Sequence, residues 1–112
     1  MRKNEEWVVL SGALSKWGGK FQIDMAVEEM AELIKALMKY MRKINGSSRY
    51  DVVEEIVDVE IMIDQLKLIF VDNGVGHEHY SNVRDRKMER LKEMVGNHIF
   101  KVQQMENKNE AK

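Results

Sequence analysis

Residues 21–44 read FQIDMAVEEMAELIKALMKYMRKI, and this stretch decides the fold. It contains neither proline nor glycine, so nothing in it interrupts a helix. Its apolar side chains recur at alternating steps of four and three residues, which is the spacing of one helix face. They are Ile23, Val27, Met30, Ile34, Leu37, Met41 and Ile44. The spacing predicts a long helix with an apolar seam for another helix.

A second long helix is predicted over residues 50–72, after a loop at residues 45–48. Its seam consists of Val52, Ile56, Val59, Ile63, Leu66 and Phe70. Another apolar stripe, Val57, Ile61 and Leu68, lies on nearly the opposite side of the same helix. The short loop predicts antiparallel packing of the two long helices. Because one partner helix cannot cover both stripes, we also expect a subunit interface.

Shorter segments flank this pair of helices. A first helix is predicted over residues 4–16, ended by Trp17-Gly18-Gly19, and a fourth from Ser81 or Asn82 to about residue 95. The segment 73–76 offers a glycine C-cap for the third helix. We expect a single domain over residues 1–96 and a polar, partly disordered tail over residues 97–112. The predicted fold class is all-α: a four-to-five-helix bundle built around two long antiparallel acidic helices and completed by dimerisation.

Composition limits the classes of partner. A chain of 112 residues supports one domain with a modest core, which small proteins often supplement by oligomerising. The formal net charge of −1 provides no global basic field, which disfavours a nucleic-acid partner. The first ten residues contain no apolar run suited to a signal peptide or membrane span. Together with the absence of cysteine, this predicts a cytoplasmic protein without a membrane partner.

Four acidic residues lie where the helical pattern is apolar. Glu29 and Glu32 share one side of the second helix, with Glu29 at the border of its apolar face. Glu55 lies within the apolar stripe of the third helix, and Asp58 follows one turn later. An isolated buried carboxylate costs several kcal/mol or becomes protonated, on the order given by transfer and ion-pair data. Antiparallel packing would converge the four groups, and a cation among them would make this arrangement favourable.

The donor atoms indicate which cation to expect. Carboxylate oxygens without nitrogen or sulfur favour Mg²⁺ or Mn²⁺. A di-iron site in a helical bundle usually requires Glu-x-x-His, but the corresponding positions here are Glu32 and Asp58, which disfavours iron. The alternative interpretation is a solvated acidic face, to which Glu28, Glu54 and Glu60 are well suited.

The acidic segments resemble a family signature. Glu28-Glu29-Met30-Ala31-Glu32-Leu33, followed by Glu55-Ile56-Val57-Asp58-Val59, is similar to the E-E-x-x-E and E-x-x-D motifs of the MazG-like all-α nucleoside triphosphate pyrophosphohydrolases. Trp17-Gly18 and Lys87-x-x-Arg90-Leu91 also resemble features of that family. The resemblance covers roughly residues 17–91.

This resemblance implies a function. By it, Glu29, Glu32, Glu55 and Asp58 would hold Mg²⁺, with Mn²⁺ as a possible substitute. The expected reaction is hydrolysis of (deoxy)nucleoside triphosphates between the α and β phosphates, for house-cleaning of the nucleotide pool. The expected assembly is a homodimer or tetramer. The alternative is a non-catalytic helical dimer of the same fold that senses nucleotides or binds other proteins.

Five further residues have candidate roles. Glu28 is the candidate proton acceptor, although a surface acid is at least as good an interpretation. Lys87 and Arg90 are candidate phosphate contacts, mainly by the family resemblance, with surface salt bridges as the alternative. Trp17 could stack on a base or pack the first helix onto the bundle, and Gln22 could bond a base edge.

Overall fold

The computed structural model describes residues 1–43, 45–46, 48–71 and 74–110, and this part of the chain is all-α. It contains five helices: α1 (Lys3–Trp17), α2 (Gly19–Met41), α3 (Arg49–Phe70), α4 (Gly74–Val95) and α5 (His98–Glu110). The prediction of an all-α fold is therefore confirmed. Ile44 and Asp72, the predicted ends of the two long helices, lie outside the described residues, as do residues 47, 73, 111 and 112.

Two local motifs fix where the long helices begin. Gly18 separates α1 from α2 with φ 85° and ψ 159°, a conformation that is essentially restricted to glycine. Its N–H donates to the carbonyl of Leu14 at 2.8 Å and so caps α1. At the start of α3, the Ser48 hydroxyl accepts from the Asp51 N–H at 3.3 Å. The Asp51 carboxylate accepts from the Ser48 N–H at 2.8 Å, which completes a capping box.

The chain divides into two compact units, Met1–Asp72 and Asn73–Lys112. In the first unit α2 packs along α3, and α1 contacts both of them. In the second unit α4 contacts α5. The prediction of one domain over residues 1–96 followed by a tail is not tested by this division and stays a prediction.

The second unit contains more helix than the sequence pattern indicated. The fourth helix begins at Gly74 rather than at Ser81 or Asn82, so the glycines at 74 and 76 lie inside its first turn. Glycine lowers helix propensity without forbidding a helix. Helix α5 occupies much of the segment predicted to be a polar tail.

The two long helices run antiparallel. At one end of the pair, the Cδ1 atom of Ile69 lies 3.9 Å from where a Cβ on Gly19 would stand. At the other end, Lys39 and Asp51 line one cavity next to the α2–α3 connection. The beginning of α2 therefore meets the end of α3, as the short connection predicts.

The seam predicted on α2 is not the line that packs on α3. Val27, Ile34 and Met41 are 62%, 62% and 74% exposed. The buried and partly buried line is displaced by one residue, about 100° around the helix. On α2 it consists of Gln22, Ala26, Glu29, Leu33 and Ala36. The corresponding line on α3, which keeps Val52, Val59 and Leu66 of the predicted seam, consists of Val52, Glu55, Val59, Met62, Gln65, Leu66 and Ile69. Two of the four predicted metal-ligating acids thus lie in the packed seam itself.

Two alanines, Ala26 and Ala36, lie on the packed line of α2. Ala26 is 1% exposed, and an alanine at the contact allows two helix axes to approach closely. Among the described residues of the seam predicted on α2, Ile23 is partly buried and the others are exposed. None of the described helices combines the length and apolar character that crossing a membrane requires.

Candidate metal centre

Three of the four predicted metal ligands come together between α2 and α3. One carboxylate oxygen from each of Glu29, Glu55 and Asp58 lies within 4.8 Å of the other two. Glu29 and Glu55 are partly buried because they occupy seam positions, whereas Asp58 is exposed one turn after Glu55. The antiparallel arrangement and the three-residue spacing on α3 together produce this cluster.

The fourth predicted ligand, Glu32, lies beside the cluster and outside it. It is exposed on α2 and lines a cavity together with Glu55. Its charge also contributes to raising the pKa of Glu55. Glu32 is therefore a neighbour of the cluster on the side nearer the α2–α3 connection.

Glu55 is the electrostatically strained member of the group. Its Oε2 is buried and has no hydrogen-bond partner among the described residues. Burial raises the pKa of the Glu55 carboxyl, and the negative charges of neighbouring acids raise it further. In order of decreasing effect these neighbours are Asp58, Glu29, Glu32 and Glu54. The charged form of Glu55 is thus less favoured than that of an isolated glutamate, and a nearby cation would favour it.

The cluster fits a hard divalent cation. All of its donor atoms are carboxylate oxygens, the ligands that Mg²⁺ and Mn²⁺ prefer. The buried Glu55 Oε2 has unused acceptor capacity, which is costly in a protein interior. A cation would use that capacity and offset the mutual repulsion of the three carboxylates.

The other sequence-predicted residues of the first unit are not among the three converging carboxylates. Glu28 is exposed on α2 and is not part of the group of converging oxygens. Gln22 is 4% exposed, and its side-chain amide donates to the Ala13 carbonyl on α1 at 3.4 Å. Its predicted contact with a base stays a prediction, as does the proton-accepting role of Glu28.

Trp17 forms an exposed aromatic contact at the end of α1. Its ring centroid lies 6.1 Å from that of Phe21 at an interplanar angle of 30°. The Lys16 ammonium lies 5.1 Å from the centroid of the Trp17 ring, within the range of a cation–π interaction. The ring is 51% exposed, so it joins α1 to α2 while keeping an open surface. Base stacking by Trp17 remains a prediction.

Lys87 and Arg90 lie on α4, in the second compact unit, and are exposed. Their predicted contact with phosphate stays a prediction.

Two features of the first unit were not predicted from the sequence. Lys35 and Lys39 line the same cavity as Glu32 and Glu55. Their four-residue spacing places them on one face of α2, but the same spacing is ordinary for a solvated helix face. The second feature is Gln65, which is 3% exposed and whose Oε1 has no partner in the described part of the chain. No sequence pattern distinguishes such a buried glutamine from a surface one.

Comparisons of the chain with protein-family models, with curated proteins and with solved structures gave no match. The fold and the site therefore define an all-α protein with a carboxylate cluster between two antiparallel helices. The resemblance to the MazG-like enzymes rests on the motif residues alone.

Proposed function

We propose that this protein is a Mg²⁺-dependent nucleotide pyrophosphohydrolase, which hydrolyses (deoxy)nucleoside triphosphates to the monophosphate and pyrophosphate. The observation that carries the proposal is the convergence of Glu29, Glu55 and Asp58, whose oxygens lie within 4.8 Å of one another. The buried Glu55 Oε2 supports it, since the protein supplies no hydrogen bond to that atom in the described part. A nucleotide-pool house-cleaning role follows from the family resemblance.

In this proposal Glu29, Glu55 and Asp58 hold the metal, and Glu32 completes the acidic surface beside them. Mg²⁺ held by these carboxylates would supply positive charge to neutralise the phosphates and a Lewis acid for the reacting phosphoryl group. Glu29 and Glu55 are partly buried at the α2–α3 seam, which limits the freedom of two of the three ligands before the substrate arrives. Mn²⁺ would substitute because it accepts the same oxygen donors.

The chemical step requires a proton acceptor. The oxygen of a water bonds to the α-phosphorus, and the bond from that phosphorus to the bridging oxygen breaks. Pyrophosphate leaves with the electron pair, and a proton of the water passes to a carboxylate. Glu28 is the candidate acceptor because it lies next to Glu29 in the sequence and is exposed to solvent.

The proposed assembly is a homo-oligomer, either a dimer or a tetramer. Its support is the stripe on α2 that α3 leaves uncovered, in which Val27, Ile34 and Met41 are at least 62% exposed. These residues repeat every seven positions, the spacing of a helix–helix seam. A second copy of the chain would bury this stripe and supply the core that a small unit lacks.

The proposal is tested by assaying pyrophosphate release with Mg²⁺ across a panel of nucleoside triphosphates. The Glu55→Gln variant should lose at least about 100-fold in rate, since even outer-shell partners of metal ligands contribute 10- to 100-fold. Glu54→Gln is the matched control because it removes the same charge from an exposed neighbour. Light scattering on the same samples gives the mass of the assembly.

Each part of the proposal has an outcome that contradicts it. A wild-type protein that releases no pyrophosphate from any nucleotide is not this enzyme. Equal rates for Glu55→Gln and Glu54→Gln would place the reaction elsewhere in the molecule. An active protein of monomer mass would reject the oligomer.

A further inference from the structure

A cavity of about 300 Å³ lies between the carboxylate cluster and the α2–α3 connection. Glu32 and Glu55 border it on the side of the cluster, and Asp51 borders it towards the connection. Lys35 and Lys39 follow Glu32 at steps of three and four residues, so all three lie on one face of α2. The cavity therefore combines carboxylates and ammonium groups within one small space.

The two lysines are available to a ligand. Both are exposed, and neither forms an ion pair within the described residues. By contrast, Oδ2 of the Asp51 carboxylate is already used, since it accepts from the N–H and the hydroxyl of Ser48 at 2.8 and 3.1 Å. Two unpaired cations on one face next to an acidic cluster suit a ligand that carries both a metal and negative charge.

The size and lining of the cavity limit the ligand further. Pockets for drug-sized ligands are about 300–1,000 Å³ and mostly apolar. This cavity is at the lower limit, and no aromatic residue is among the described residues that line it. It provides no surface on which a base could stack. A small and highly charged group fits this environment better than a nucleoside.

We infer that this cavity binds the terminal phosphates of the substrate, the part released as pyrophosphate, through Lys35 and Lys39 on α2. The inference rests on the proposed function for the identity of the substrate. Because the cavity lies on the connection side of Glu32 and Glu55, the terminal phosphates extend towards residues 45–46. The nucleoside then lies on the other side of the cluster, towards α1. The cavity should accordingly bind inorganic pyrophosphate with Mg²⁺ even though this ligand has no nucleoside.

The test is isothermal titration calorimetry with inorganic pyrophosphate at fixed Mg²⁺ concentration and fixed ionic strength. Fixed ionic strength matters because exposed charges are screened by salt. The variant Lys35→Gln/Lys39→Gln should bind at least about tenfold more weakly, given the usual strength of hydrogen bonds to charged groups. The matched control, Lys3→Gln/Lys20→Gln, removes two exposed lysines that do not line the cavity. It should bind within about twofold of wild type.

A charge-conserving variant separates charge from packing. Lys35→Arg/Lys39→Arg keeps both positive charges and should recover most of the affinity that the glutamine variant loses. Stabilisation by Mg²⁺ alone should be the same in the glutamine variant and in wild type, because the lysines do not hold the metal. Equal pyrophosphate affinity in the glutamine variant and the control, or no binding by wild type, would overturn the inference.

Failure of the inference is distinguishable from failure of the proposed function. One outcome is that the glutamine variant hydrolyses nucleotides with the same KM and the same inhibition by pyrophosphate as wild type. That result rejects phosphate binding in the cavity and leaves the proposed enzymatic function intact. If the protein binds pyrophosphate through the lysines but hydrolyses no nucleotide, phosphate binding in the cavity is supported and the proposed enzymatic function is rejected.

Discussion

The packed seam between α2 and α3 contains two pairs of polar side chains, a glutamine layer and a glutamate layer. The difference between them distinguishes a polar group buried by packing from one suited to bind a ligand. Towards α1, Gln22 and Gln65 are 4% and 3% exposed, more deeply buried than any other polar side chains in the described part. The second layer lies about two turns further along α2 and consists of Glu29 on α2 and Glu55 on α3. Both residues occupy the packed seam, as the glutamines do, but are only partly buried. Each layer contains one oxygen without a partner within the described residues, Oε1 of Gln65 and Oε2 of Glu55.

The difference between the layers is charge and access. The glutamine layer is neutral and closed to solvent, so its unused oxygen is a small defect in a packed core. The glutamate layer is charged and opens onto exposed Asp58 and onto the cavity bordered by Glu32. Like charges crowded there are unfavourable in the protein alone, and a ligand can relieve that strain. One layer is therefore a packing feature and the other a candidate site.

The largest expected effect that separates the layers is the response to metal. With free Mg²⁺ at 100 times its dissociation constant, binding to the native state adds about 2.7 kcal/mol to the free energy of unfolding. Wild type and Gln65→Met should both show this rise in thermal melts with Mg²⁺ against chelator. Glu55→Gln should lose most of it, since it removes the buried ligand oxygen. A full Mg²⁺ response in Glu55→Gln would mean that the acidic layer is not the metal site.

A smaller effect is expected from the glutamine layer without metal. Gln65→Met replaces a buried amide with a side chain of similar length that leaves no oxygen unsatisfied. We expect it to raise the free energy of unfolding by about 1 kcal/mol, which corresponds to about 4–8 °C in the melting temperature of a small domain. Gln22→Met is the control and should gain less, because it loses the 3.4 Å bond to the Ala13 carbonyl. A destabilised Gln65→Met would mean that the amide makes a contact that the core requires.

These two layers also explain what the sequence could and could not predict. The helical class, the antiparallel pair and the convergence of Glu29 with Glu55 and Asp58 follow from periodicity, a short connection and acids in apolar faces. The packed line on α2 did not follow, because the apolar stripe through Val27 and Ile34 is stronger than the line through Ala26 and Glu29 that packs. Periodicity shows which face is apolar, and it does not by itself show which face packs against another helix.

The cavity lysines and the buried glutamine were beyond sequence reasoning for a related reason. Lys35 and Lys39 have the spacing of an ordinary solvated helix face, and only the position of α3 places them opposite Asp51 and Glu55. Gln65 is polar and follows Asp64, so the pattern alone suggests a surface position. Tertiary packing determined both outcomes.

The smallest expected effect is the dependence of stability on pH without metal. The pKa of Glu55 is raised in the folded protein, so the native state holds a proton that the unfolded chain has already lost. Stability therefore falls as pH rises from the ordinary value of a glutamate carboxyl to the raised folded value, and stays lower above it. Glu55→Gln lacks this group and should melt at a higher temperature than wild type above that window. The two proteins should converge below it.

Melts in chelator across this pH range, with Glu54→Gln as control, measure the effect directly. The control removes the weakest of the neighbouring charges that raise the pKa of Glu55 and should follow wild type closely. If wild type and Glu55→Gln keep a constant difference at every pH, the Glu55 carboxyl is not strained in the folded protein. The acidic layer would then resemble the glutamine layer, a packed feature without stored repulsion for a metal to relieve.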